Sequence, residues 1–213
     1  MRKSPTLDLE RELSQMTGAI RIAGLDEAGR GALAGPVYAA AVILPRDDGA
    51  ALQQLTHVND SKLLSAARRE KLFAIICRTA MAYGIGQCSA HEIDRIGIVP
   101  ATCLAMKAAL DELEPAAEAA LVDGRIRLNS SSIAQQQVIR GDSLSLSIAA
   151  ASILAKVSRD RHMRQMELGY PEYGFARHKG YGTAAHMAAI DRHGPCAEHR
   201  LSFAPFRFSA AGS

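Results

Sequence analysis

Three short segments set carboxylates beside glycines: GLDEAGRG at residues 24–31, VDG at 122–124 and GDS at 141–143. In each, the acid falls at or just after the end of a stretch that reads as a β-strand, so Asp26 with Glu27, Asp123 and Asp142 should all emerge at strand ends. Ligands of α/β sheets gather there. One acid at such a place is ordinary turn chemistry, because Asp tolerates turn backbone. Three such places in one chain weigh convergence and coincidence about evenly. Carboxylates brought together raise each other's pKa unless a cation joins them, and an all-oxygen donor set selects Mg²⁺ or Mn²⁺ over zinc. Two such ions, about 3.5–4 Å apart, clamp the attacking and departing oxygens of an in-line phosphoryl displacement. This reconciles the acids with the glycines: the metal draws in a phosphate, and bare backbone approaches the sugar–phosphate chain. Adjacent strand residues face opposite ways. Asp26 and Glu27 therefore share a site only if the strand ends or bulges there, which Gly29 would suit.

Two other motifs are weaker. Residues 24–31 imitate a phosphate-binding P-loop, but Arg30 replaces the lysine, Gly31 replaces the metal-binding hydroxyl, and two acids would repel the anion. GDSL at 141–144 offers Ser143 as an esterase nucleophile, but it lies two-thirds along the chain and lacks an Asp-x-x-His partner. Asp160, beside Lys156 and Arg159, reads as a helix ion pair and is kept out of the metal set.

The acids need elements to hold them. Residues 19–27 and 37–44 read as strands, the second a continuous apolar run ending at Pro45. Apolar spacing predicts a helix over 66–81, with Leu72, Ile75, Ile76 and Thr79 on one face. A strand over 82–88 follows, then a short helix capped by Ser89 with Glu92, and a helix from Pro100 through Leu113. Residues 119–123 and 136–140 read as strands. SLSIAAASILAKVSRDRHMRQMEL, residues 145–168, is the strongest helix, closed by Gly169 and Pro171. A loop (YGFARHKGYGT), a helix over 184–193 and a tail with three phenylalanines complete the chain. Strands followed by helices imply α/β layers with a small helical addition at the C-terminus.

At 213 residues the chain suits one sizeable domain with an appendage. The opening residues show no apolar signal region, and no uncharged apolar run of about 18 residues occurs, so neither export nor a membrane span is expected. Four scattered cysteines read as reduced thiols of a cytoplasmic protein. A formal charge of +3 hints only faintly at an acidic partner. Lys156, Arg159, Arg161 and Arg164, and likewise Arg177, His178 and Lys179, read as solvated helix face or loop. His178 is not favoured as a general acid. Lys156 would meet a phosphate or neutralise the acids.

In order and spacing, the landmarks resemble ribonuclease HII over residues 20–206: GLDEAGRGALAGPVYAAAVIL, NDSK, HEID, VDG, GDS, SIAAASILAKVSRD, YGFARHKGYGT and SFAPFR. The resemblance implies a ribonuclease H-like fold, a central mixed sheet flanked by helices. Its divisions would be an N-terminal extension (1–17), a catalytic domain (18–169) and a C-terminal helical extension with tail (170–213). It implies an endonuclease that cuts RNA in RNA–DNA hybrids and incises duplex DNA 5′ of an embedded ribonucleotide, leaving 3′-hydroxyl and 5′-phosphate ends. Asp26, Glu27, Asp123 and Asp142 would be the catalytic metal-binding acids, for Mg²⁺ or Mn²⁺. Gly29, Arg30 and Gly31 would read the 2′-hydroxyl through backbone groups, and Tyr181 would stack on the following deoxyribose. The 2′-hydroxyl is what separates the two sugars. Asn59, Lys62 and Lys156 complete the expected substrate contacts. A monomer is expected, with no membrane partner, and the sequence leaves a sliding-clamp contact open. Leu63, Gly97, Val99, Arg125 and Arg140 depart from residues usual in that family. These departures fall away from the four acids.

Overall fold

The structure is a computed structural model that describes residues 4–129 and 131–206, and no description extends to the Leu63 side chain. Phe208 and Arg207 of the expected tail lie outside the described residues. The elements run α1 (Asp8–Thr17), β1 (Ile22–Ala28), β2 (Val37–Ile43), α2 (Gly49–Gln54), α3 (Ala66–Thr79), β3 (Ala82–Cys88) and α4 (Ala90–Ile96). They continue through α5 (Ile98–Asp111), β4 (Ala119–Asp123), β5 (Ala134–Val138), α6 (Leu146–Met166), α7 (Phe175–His178) and α8 (Ala184–His193). Single 3-10 turns lie at Ser61–Leu63, Gly141–Ser143 and Pro171–Tyr173.

One sheet of order β3-β2-β1-β4-β5 forms the centre. β1 pairs antiparallel with β2 and β2 with β3, whereas β1–β4 and β4–β5 are parallel, so the sheet is mixed as expected. Successive residues of β1 divide between the two faces. Ala23 and Leu25 pack into the core with Met106 and Ala109 of α5. On the other face, Ala40 and Val42 of β2 pack with the alanine-rich stretch 149–151 of α6. Gly24 belongs to this second face: a Cβ there would lie 2.3 Å from the Ile148 backbone nitrogen. Its bareness serves helix packing, not a phosphate.

α1 was not legible in the sequence. Its Leu13 packs with Ile22, Leu121 and Val138. Its Glu10, 1% exposed, reaches the N-terminus of α6. There Oε1 accepts hydrogen bonds from Ser145 Oγ (2.6 Å), Ser147 N (3.0 Å) and Ser147 Oγ (2.5 Å). A carboxylate suits that end of a helix dipole.

Past α6, Tyr173, Phe175 and Ile190 cluster with Met163 of α6 and Ala34 of the loop after β1. The C-terminal elements therefore sit against the loop beside the acids. β5 lies two residues earlier than expected. Arg140 adopts φ 58°, a left-handed turn that no strand continues through.

Candidate active site

A cleft of about 230 Å³ opens at the carboxyl end of β1, and Asp26, Glu27, Asp123, Lys62, Lys156 and Tyr181 line it. Gly29, Arg30 and Gly31 form its wall. Of the two routes open to them, a strand end or a bulge, there is no bulge: Asp26 and Glu27 hold regular register opposite Ala40 and Ala39 just before β1 ends at Ala28. Pairing with β4 instead stops at Leu25–Val122. Beyond that point the β4 side of β1 is open, and side chains from both faces reach the gap.

Asp26 is buried, and burial is the main reason its pKa stands well above the ordinary carboxylate value, with the charges of Glu27 and Asp123 adding to the rise. Its Oδ1 accepts the Glu27 N–H at 2.7 Å. Burial also raises Glu27, against the opposing Arg30 guanidinium at 3.4 Å. Asp123 ends β4, and burial raises it too. The Gly141 N–H, donating to its Oδ1 at 2.6 Å, opposes that rise, and Asp142 adds to it. Asp142 is 5% exposed and lies beside the cleft, not in its lining. It joins the group through Lys62, whose Nζ is 3.3 Å from Oδ2. Partial burial is the largest influence on Lys62 and opposes its charge, but Asp142, Asp60 and Asp26 together outweigh it and the lysine pKa is raised.

Among the described residues, no three or more His, Cys, Asp or Glu side chains stand close enough together to hold a metal ion by themselves. The donor set nevertheless fits a hard divalent ion. Every candidate ligand is a carboxylate oxygen, and three of the acids are held at raised pKa, a condition an added cation relieves. Mg²⁺ in particular keeps several waters and takes one or two carboxylates plus substrate phosphate, so a closed protein cage is not its usual site.

The remaining expected contacts divide. Gly31 faces open space, since a Cβ there would meet nothing within 4 Å. Tyr181 is 39% exposed at the cleft. Lys156 Nζ donates to Asp160 Oδ1 at 2.6 Å, and Arg69 approaches the same carboxylate at 3.8 Å, which is the ion pair expected of Asp160. Asn59 turns to its own loop, its Oδ1 accepting the Asp60 N–H at 2.8 Å. His178 has both ring nitrogens committed: Nε2 donates to Tyr173 O at 2.7 Å, and Nδ1 accepts from Gly180 N at 3.2 Å. It is the half-buried last residue of the short helix α7. Ser143, the esterase candidate, donates its hydroxyl to Arg140 O at 2.8 Å.

One grouping is corrected. Arg161 and Arg164 do form a solvated face on Glu70, but Arg159 is fully buried. The signal was its helical phase: Ser152, Lys156, Arg159 and Met163 fall on one stripe, and Met163 is core. Arg200, also fully buried, had no such signal, because it lies in irregular chain. Ser152 and Ser61 are further additions. Their hydroxyls are 2.8 Å apart beside the cleft, and a hydrogen bond from Ser152 favours the ionised form of Asp26.

Comparison with known proteins gives one family. The family model described as Ribonuclease HII matches residues 23–206. A ribonuclease HII of Syntrophotalea carbinolica is 55% identical over 197 residues, covering 92% of this chain and 91% of the relative. One from Geobacillus thermodenitrificans is 54% identical over 198 residues, covering 93% and 73%. Among solved structures, the ribonuclease H2 of Pyrococcus horikoshii superposes with a TM-score of 0.75 at 24% identity, covering 89% of this chain and 96% of that one. That likeness concerns the fold.

Proposed function

The chain belongs to the ribonuclease HII family and is a ribonuclease H endonuclease; on that premise, we propose that it incises duplex DNA 5′ of an embedded ribonucleotide as well as cutting the RNA of RNA–DNA hybrids. The observation that carries the reading is the single cleft in which Asp26, Glu27 and Asp123 meet Gly29, Arg30, Gly31 and Tyr181. Acids for hydrolysis and groups suited to reading sugars share one wall.

In the proposed reaction a water oxygen attacks phosphorus in line, and the bond from phosphorus to the 3′-oxygen of the preceding nucleotide breaks. That oxygen takes a proton to become a 3′-hydroxyl, the attacking water gives one up to solvent, and the phosphate stays on the 5′ side of the ribonucleotide. Asp26, Glu27 and Asp123, with Asp142 beside them, would hold Mg²⁺ or Mn²⁺, which supplies charge for the pentavalent phosphorus and a more acidic water. Lys62, exposed and paired with Asp142 at 3.3 Å, meets the incoming backbone. Ser152 favours the charged state of Asp26. Gly31, with open space where a side chain would stand, leaves its backbone free to approach the 2′-hydroxyl, and Tyr181 offers an aromatic face to the next sugar. The partners would be hybrid and ribonucleotide-bearing duplex DNA, met by a monomer in the cytoplasm. Among the described residues no helix is long and apolar enough to cross a membrane.

The test is Mg²⁺-dependent incision of an end-labelled duplex carrying one ribonucleotide. The expected product is one nick 5′ of the ribonucleotide, with a 3′-hydroxyl upstream. A nick on its 3′ side, or none, refutes the reading.

A further inference from the structure

Arg159 and Arg200 are both fully buried, and their guanidinium groups donate to backbone carbonyls. Arg200 serves one segment: Nε and Nη2 donate to Gly35 O at 2.9 and 2.7 Å, and Nη1 to Arg30 O at 2.9 Å. Arg159 serves two. Its Nε donates to Pro36 O at 3.0 Å and its Nη2 to Ala34 O at 3.1 Å, both in the loop that follows Gly31. Its Nη1 donates to Lys179 O at 2.9 Å, two residues before Tyr181. Its guanidinium carbon also lies 5.6 Å from the centre of the Tyr181 ring. The fit is close: Gly29 has φ 94°, and a Cβ there would fall 1.9 Å from Arg159 Nε. Three carbonyl dipoles and an aromatic face stand where a counter-ion would be, so the buried charge is not left bare.

We propose that Arg159 is a specificity-determining positioning residue that locks the 29–36 loop and the Tyr181 segment to each other, so that both read adjacent sugars of one strand. The inference rests on the junction reading proposed above. Readers set independently would each accept their own sugar. Joined through one planar fork, a misfit at either displaces the other. Lysine keeps the charge but offers a compact point donor in place of that fork. Leu33 N, donating to Gly180 O at 2.8 Å, is a second tie between the two segments and stands beside the Arg159 fork.

The experiment compares wild type with Arg159→Lys in the full chain, with Mg²⁺, on a single-ribonucleotide duplex and on a continuous RNA–DNA hybrid. On the first substrate kcat/KM is expected to fall about thirtyfold or more, since an ångström of misplacement costs on the order of a hundredfold. On the second it should fall less than about threefold, because chemistry and backbone binding are untouched. In a Tyr181→Ala background the same substitution should barely change the ratio between substrates, as expected of coupled groups. Equal losses on both substrates, or an undiminished effect without Tyr181, overturn the proposal. A wild type that leaves the single ribonucleotide uncut overturns the underlying reading, and this inference with it, before any variant is made. If Arg159→Lys does not fold, hydrogen exchange on Asp26→Asn with the single-ribonucleotide duplex carries the test. Residues 30–36 and 179–183 should gain protection together, and protection of one segment alone overturns the proposal.

Discussion

At the scale of single residues, the site stores repulsion. Burial and neighbouring acids raise Asp26, and burial raises Glu27 and Asp123. A carboxylate whose folded pKa exceeds its unfolded value holds a proton that the unfolded chain has released, so stability falls as pH rises through that interval. Without divalent ions, thermal stability should therefore decline from the ordinary carboxylate range upward, through the raised values. Mg²⁺ should reverse the decline, with a larger effect at neutral than at acid pH, because binding displaces protons. Asp26→Asn removes the most strongly raised group. It should make the metal-free protein more stable by about 1–2 kcal/mol while lowering incision beyond the roughly 10–100-fold that loss of an outer partner costs. Calorimetry with and without Mg²⁺, paired with the incision assay, reads both. A destabilised Asp26→Asn would mean that the carboxylate serves the fold.

At the scale of elements, hydrogen-bond chemistry fixes how the C-terminal helices hold the cleft. His186 Nδ1 is 3.0 Å from Tyr181 O, so that nitrogen carries the proton, and Nε2 accepts from His199 Nε2 at 3.1 Å. The Cys196 N–H donates to His199 Nδ1 at 2.9 Å. The chain of bonds from Cys196 to Tyr181 works only with both rings neutral. Burial, with His186 beside it, depresses His199 from 6.5 to about 4. The unfolded chain takes up a proton below 6.5 that the folded one refuses, so this stability is complete above 6.5 and is lost as pH falls toward 4. Proteolysis of the segment beyond α6 should accelerate over that window, and His199→Gln, which cannot take up a proton there, should flatten the dependence. An unchanged profile in the variant would remove His199 as the cause.

At the scale of the whole molecule, most of the framework was legible because periodicity reports local burial. The strands at 82–88 and 119–123 and the long helix from Ser145 stand where apolar spacing set them. The meeting of Asp26, Glu27 and Asp123 in one cleft follows from a related signal, since each reads at or just after a strand end and they lie near the carboxyl ends of β1 and β4. What escaped was tertiary partnership. Glu10 looks like a surface acid of a polar helix, and nothing local says that it caps α6 from 135 residues away. Arg159 looks like its solvated neighbours until the loop it grips is in place. The glycines were legible as necessary but not as to reason: Gly24 yields to α6 and Gly29 to Arg159, and only Gly31 of the GRG pair faces open space.

The central claim is that acids from β1, β4 and the Gly141–Ser143 turn form one divalent-ion site. It is tested most directly by titrating Mn²⁺ into wild type, Asp26→Asn and Asp123→Asn, followed by calorimetry. The expected result is one shared binding event, weakened by either substitution beyond the roughly 10–100-fold that loss of an outer partner costs. Wild-type affinity in both variants would contradict it.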